Sequence, residues 1–76
     1  MAVNFEITEH LAVLSEGNNG WRMELNMVSW NGRDPKLDIR NWDSEHEKMS
    51  KGVTLTSEEA ERLHVALGVV GVWGGK

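Results

Sequence analysis

Apolar and polar residues alternate over most of the first two thirds of this chain, the period of a half-buried β-strand. Phe5, Ile7, Leu11 and Val13 share parity, with Glu6, Thr8 and His10 opposite. A first strand is therefore expected from Phe5 to Ser15, bent near residues 8–10 where Glu9 interrupts the apolar row. Glu16-Gly17-Asn18-Asn19-Gly20 reads as a turn, because Gly and Asn tolerate left-handed backbone. The pattern then predicts strands from Trp21 to Trp30 and from Lys36 to Trp42, joined by the reversal Asn31-Gly32-Arg33-Asp34-Pro35. Asp43 to Ser50 is polar and reads as a loop or an extended arm. Lys51 to Leu55 is a short fourth strand.

The period changes after Leu55. Thr56-Ser57-Glu58-Glu59 is a capping box, in which Thr56 and Glu59 each bond the other's backbone amide. A helix is expected from Ser57 to about Leu67, with Ala60, Leu63 and Leu67 as its apolar stripe. Gly68 is a natural stop, although the stripe continues at Val70 if the helix runs on. The order β-β-β-β-α makes an α+β fold: four antiparallel strands followed by one C-terminal helix.

The central hairpin has two unlike faces. With Trp30 placed opposite Lys36, Val28 faces Asp38, Asn26 faces Arg40 and Glu24 faces Trp42. One side then holds Arg22, Asn26, Trp30, Lys36, Arg40 and Trp42; the other holds Trp21, Met23, Leu25, Met27, Leu37 and Ile39. A switch of apolar parity at Met27-Val28 admits a bulge there. Trp30 and Trp42 have two readings. Either they pack inside, under the polar arm or in a dimer core, or each offers a ring face on which a base stacks. Lys36 and Arg40 on the same side would then meet phosphates, and we favour this second reading.

Composition narrows the choice. Seventy-six residues make one domain, here a core over 5–67 and a glycine-rich tail over 68–76 that either packs in a dimer seam or frays. A chain this short buries only roughly 60–65% of its unfolded surface, and without cysteine it has no disulfide, so a homodimer is expected. No apolar run is long enough to span a membrane and no signal-peptide pattern opens the chain, so the expected location is cytoplasmic and nucleoid-associated. The net charge of −4 argues against an indiscriminate polyanion binder. Residues 20–52, however, hold six basic and six acidic side chains, and the acidic excess lies in the flanks. His10, His46 and His64 fall in separate elements without ligand spacing. Ser44 and His46 have no third group to orient them. No enzyme, metal, cofactor or small-molecule substrate is expected.

The run VSWNGRDPKLDIRNW, followed by EKMSKGVTLTSEE, resembles the positive cofactor four (p15) family of transcriptional coactivators, and most of all its small bacterial YdbC-type members. The motifs that carry the resemblance are Asp38-Ile39-Arg40, the following Trp42, and Lys51-Gly52-Val53-Thr54-Leu55 leading into an acidic helix start; it covers residues 13–67. The resemblance implies a curved four-stranded sheet, a two-fold homodimer, and single-stranded DNA held by base stacking and phosphate contacts with little sequence preference. By position, Trp30 matches the family's hairpin-tip aromatic, Arg33 or Lys36 the basic residues after it, and Lys51 the basic residue before the strand-four glycine. Arg40 and Trp42 match the family's arginine and following tryptophan. Met23 and Met27 depart from the basic side chains of bacterial relatives, and coactivation through activator contacts is not carried over.

The nucleic-acid-binding set expected from the sequence is Arg22, Asn26, Trp30, Arg33, Lys36, Arg40, Trp42, Lys48 and Lys51. The expected ligand is single-stranded DNA, with RNA left open, in transcription regulation, replication or repair. The alternative is a protein-interaction module that docks a peptide or an acidic transcription-factor segment on the Trp-rich face.

Overall fold

Left-handed residues set the first two reversals of the chain. Asn19 and Gly20, at φ 62° and 81°, close a short 3-10 turn over Asn18–Gly20. Asn31 and Gly32, at φ 53° and 76°, turn the chain after Trp30, and the Arg33 amide donates to the Trp30 carbonyl at 3.0 Å. Paired positive φ in an Asn-Gly step is the geometry that matches the twist of a hairpin. The structure, a computed structural model, describes residues 4–70. Around these turns run β1 (Phe5–Glu16), β2 (Arg22–Trp30), β3 (Lys36–Trp42) and β4 (Met49–Leu55), followed by α1 (Ser57–Val70). The strands form one antiparallel sheet in the order β1-β2-β3-β4. This is the α+β architecture read from the sequence, a four-stranded sheet and one C-terminal helix.

The register between β2 and β3 differs from expectation by two residues. Val28, not Trp30, stands opposite Lys36; Asn26 faces Asp38, Glu24 faces Arg40 and Arg22 faces Trp42. The Asn31-Gly32 turn is tighter than a five-residue reversal, and Pro35, which has no N–H, cannot ladder. The ladder therefore starts at Lys36. An even slip leaves every side chain on its face, so the expected division of the hairpin into two faces holds. β2 pairs with β3 without a register shift, so the bulge admitted at Met27-Val28 is absent from that ladder.

The irregularity lies in β1. Its register against β2 shifts between Ile7 and Glu9, between His10 and Ala12, and between Val13 and Ser15. The first shift is the bend expected near residue 8. Each shift changes the phase of the strand beyond it, so Phe5, Ile7, His10, Val13 and Glu16 stand opposite Trp30, Val28, Asn26, Glu24 and Arg22. The expected placement of His10 across from Phe5 is thereby corrected: His10 joins the face of Phe5 and Ile7.

Bulges bend a strand and increase its twist, and the sheet curls tightly. Phe5 sits at the Trp30 end of β2, whereas Trp42 pairs with Arg22 at the other end. Those ends would lie roughly 26 Å apart in a flat sheet. The Phe5 and Trp42 rings nevertheless meet at 5.1 Å. Curling closes the Trp-bearing face on itself, and Glu24, Asn26, Val28, Asp38 and Trp42 are fully buried there.

The opposite face carries Met23, Leu25, Met27, Leu37 and Ile39, all half-buried. The helix is nucleated as its sequence requires: Thr56 Oγ1 accepts from the Glu59 amide at 3.1 Å, and Glu59 Oε1 accepts from the Thr56 amide at 2.9 Å. It runs past Gly68 to Val70, three residues beyond the expected end at Leu67, taking in the first residues of the expected tail. Residues 71–76, the rest of that tail, lie outside the described residues. Ala60, Leu63, His64 and Leu67 of α1 and Leu14, Leu25, Leu37 and Ile39 of the sheet line an apolar cavity of about 300 Å³. Leu14 and Leu63 keep 50% and 37% of their surface, so one helix does not seal this face.

Candidate nucleic-acid interface

A groove of about 340 Å³ opens beside the β2–β3 turn, lined by Trp30, Arg33, Asp34, Lys36, Arg40 and Thr54. Trp30 ends β2 and Lys36 begins β3, so the turn chemistry that reverses the chain also sets the width of this groove. The Trp30 ring is half-buried. The Arg40 guanidinium carbon lies 4.8 Å from its centroid, a cation–π contact.

Arg40 is held on every side. Its Nε and one Nη donate to the two carboxylate oxygens of Asp38 at 2.7 and 2.9 Å. Its other Nη donates to the Ser50 carbonyl at 3.2 Å. The Thr54 hydroxyl donates to Asp38 at 2.8 Å, tying β4 into the same pair. Such a two-pronged pair fixes orientation as well as charge. Gly52 faces Arg40 across the ladder, and the Arg40 chain lies over it. A Cβ there would collide with Arg40 Cβ and the Ile39 carbonyl oxygen. Close approach of the Arg40 chain is the reason for this glycine in β4.

Two expected contact residues are not open to a ligand. Trp42 is fully buried, against Phe5 at 5.1 Å and the His46 ring at 5.8 Å, so its indole offers no face for stacking. Its Nε1–H has no acceptor among the described residues. Asn26 is also fully buried; it donates to Glu24 Oε1 at 3.1 Å and meets His10 Nδ1 at 2.7 Å. The cause is the curl of the sheet, which carries Phe5 and the 43–48 segment over the middle of the hairpin. Of the expected pair of exposed indoles, only Trp30 is reachable.

The cations divide into two classes. Arg22 and Arg40 are tied to Glu24 and Asp38. Arg33, Lys36, Lys48 and Lys51 are exposed, and among the described residues none has a carboxylate within ion-pair distance. A phosphate can meet these four without displacing an internal partner. Arg33 and Lys36 flank the Trp30 groove, whereas Lys48 and Lys51 lie on either side of the start of β4.

At the other end of the same face, Glu24 is fully buried. Arg22 Nη2 lies 3.0 Å from Oε2, and His46 Nε2 lies 3.0 Å from both oxygens. Burial pushes the Glu24 carboxyl up, but the bonds to Asn26 and His46, with the charges of His46 and Arg22, outweigh it and hold the group below its ordinary value. His46 reaches Glu24 because its segment is folded tightly. The Asp43 Oδ1 accepts from the Glu47 and Lys48 amides at 2.8 and 3.0 Å, and His46 takes φ 59°. The Lys48 amide bond, against the opposing effect of burial and with help from the Glu47 amide, lowers the Asp43 carboxyl below its usual range.

Sequence reasoning passed over Glu24, Asp38, Thr54, His10 and His46. Two of these left a signal: Arg22-x-Glu24 and Asp38-x-Arg40 each put an acid and a cation on one side of a strand, two residues apart. The histidines left none, because bulges and a folded loop bring them together. Among the described residues no three His, Cys, Asp or Glu side chains are arranged to hold a metal ion. No helix there is long and apolar enough to cross a membrane.

Residues 17–66 match the model of the Transcriptional Coactivator p15 (PC4) family. An uncharacterized protein of Treponema pallidum (strain Nichols) is 50% identical over 60 residues, covering 79% of this chain and 71% of that protein. The matched segment spans the β2–β3 hairpin and β4, which supply the Trp30 groove and its cations, and most of α1. The chain belongs to the transcriptional coactivator p15 (PC4) family.

Proposed function

We propose that this protein binds single-stranded DNA with little sequence preference, in transcription regulation, replication or repair, and does so without catalysis. The observation that carries the reading is the Trp30 groove. A half-buried indole is backed by a fixed guanidinium, and Arg33 and Lys36 stand beside it without internal partners among the described residues. An aromatic ring flanked by cations suits a flexible strand with exposed bases, since every base has a π-face. A duplex keeps its bases stacked and presents no such face. Lys48 and Lys51 extend the phosphate contacts, while Arg40 acts by holding Trp30 and Trp42 by packing the sheet behind it.

The half-exposed apolar face and its cavity support a homodimer, formed when a second copy covers Leu14, Leu25, Leu63 and their neighbours. Such a protein would work in the cytoplasm, at the nucleoid.

Titration with labelled oligo-dT tests the reading. Trp30→Ala is expected to weaken binding by about 1–3 kcal/mol, whatever the base sequence. The logarithm of the binding constant should fall with log salt with a slope of about 0.7 per phosphate neutralised. Unaltered affinity in a folded Trp30→Ala variant would overturn the site. Indifference of Trp fluorescence to poly-dT, together with a response to an acidic peptide, would favour the protein-docking alternative.

A further inference from the structure

A second cavity, of about 250 Å³, opens on the same curled face and is lined by Ile7, His10, Arg22, Asn26 and His46. Three of these side chains, Arg22, Asn26 and His46, bond the buried Glu24 carboxylate. A row of rings joins it to the Trp30 groove: Trp30 meets Phe5 at 6.1 Å, Phe5 meets Trp42 at 5.1 Å, and Trp42 meets His46 at 5.8 Å. Trp42 is buried, so these rings pack beneath the face on which both cavities open.

Arg22 offers this cavity spare N–H donors, and the free nitrogen of each histidine becomes a donor only when its ring is protonated. Arg22 uses one Nη on Glu24 and keeps its other N–H groups. His10 engages Asn26 through Nδ1, and His46 engages Glu24 through Nε2, so each ring has one nitrogen left. His10 and His46 keep 50% and 33% of their side-chain surface, enough to meet a ligand.

The charge of the cluster depends on protons. With both imidazoles neutral, Arg22 and Glu24 cancel. With both protonated, the cluster carries two positive charges beyond that pair. The other charged groups near it are Asp43, Glu45, Glu47 and Lys48 on the 43–48 segment, Glu16, opposite Arg22 on β1, and the paired Asp38 and Arg40 of β3, opposite Asn26 and Glu24. Asp43 is turned inward onto the Glu47 and Lys48 amides.

We infer that the cavity walled by His10, Arg22 and His46 is a second phosphate subsite on the face that binds single-stranded DNA, filled when its two histidines are protonated. This rests on the proposed single-stranded DNA binding and adds to it a proton-controlled extension of the contact. Imidazoles change charge between about pH 5 and pH 8. Glu24 stays ionised across that range because its carboxyl is held below its ordinary value. The site gains charge as pH falls, and a bound phosphate in turn favours the protonated rings.

The experiment measures the affinity of labelled oligo-dT at about pH 8 and about pH 5.5, at fixed ionic strength, for the full chain and for its His10→Gln and His46→Gln variants. The full chain is expected to bind about tenfold more tightly at the acid pH, the effect of an opposite charge a few ångströms away on a titrating group. The salt slope should steepen by about 0.7 at the acid pH, for one more phosphate neutralised. Each substitution should shrink the ratio between the two pH values. His10→Gln is the decisive variant, because His10 is half-exposed and its loss leaves the Glu24–His46 bond intact; its folding is checked by circular dichroism. A His10→Gln protein with the full chain's pH ratio overturns the subsite, as does an equal salt slope at both pH values. Absence of oligo-dT binding at either pH would instead overturn single-stranded DNA binding itself.

Discussion

The chemistry of this protein is concentrated in two acid–cation pairs set into β-strands. Asp38 grips Arg40, and Glu24 gathers Arg22, His46 and Asn26. Both carboxylates are fully buried, and a buried charge persists only when paired and hydrogen-bonded. The Glu24 cluster makes stability depend on acid. Its folded-state carboxyl titrates below its ordinary value of 4.5, so its contribution is complete above that pH and is lost as pH falls through the lower, folded-state value. Urea midpoints measured from about pH 6 down to about pH 3 should therefore fall on the acid side, and Glu24→Gln should flatten that limb. An unchanged acid limb in the variant would place the sensitivity elsewhere. His46 bonds both oxygens of this carboxylate and touches Trp42, so one charge organises the cover over the indole.

Among the elements, β1 and β4 decide what the central hairpin can present. Three register shifts in β1 curl the sheet, and β4 supplies Ser50, Gly52 and Thr54 around Arg40. Gly52 is where that supply is tightest. Gly52→Ala would drive a methyl group into Arg40 Cβ and the Ile39 carbonyl oxygen, and backbone cannot yield as the end of a side chain does. We expect the substitution to destabilise the fold by about 1–3 kcal/mol, read from urea denaturation. It should also weaken oligo-dT binding, because Arg40 would leave the Trp30 ring. Equal stability would mean that β4 moves freely against β3.

On the scale of the whole molecule, the two faces of the sheet have exchanged the roles that their composition suggests. The polar face is curled shut and contains all the fully buried side chains among the described residues, whereas the apolar face is only half-covered by α1. A chain of 76 residues buries a smaller share of its surface than a longer one, and the proposed dimer would cover that face with a second copy. In solution the protein should have twice the mass of one chain by light scattering. Leu63→Glu, at the rim of the apolar cavity, should shift it toward the monomer while the capping box keeps the helix. A wild-type protein of single-chain mass at micromolar concentration would count against the dimer.

The features legible along the chain were those that depend on near neighbours. Strand alternation placed Trp30, Arg40 and Trp42 on one face, and the two-residue error in pairing did no harm because faces repeat every second residue. The capping box is local and forms as written. Alternation cannot say whether a face points outward, and that was settled by curvature. Bulges in β1 brought Phe5 over Trp42 and His10 onto Asn26, and a folded segment brought His46 onto Glu24. These contacts join residues 16 to 37 positions apart, with no periodic mark at either end. Which residues of the central hairpin share a side was therefore decided by the sequence itself, whereas the side His10 takes, and which of these residues remain within reach of a ligand, were decided by the bulges and the curl of the sheet.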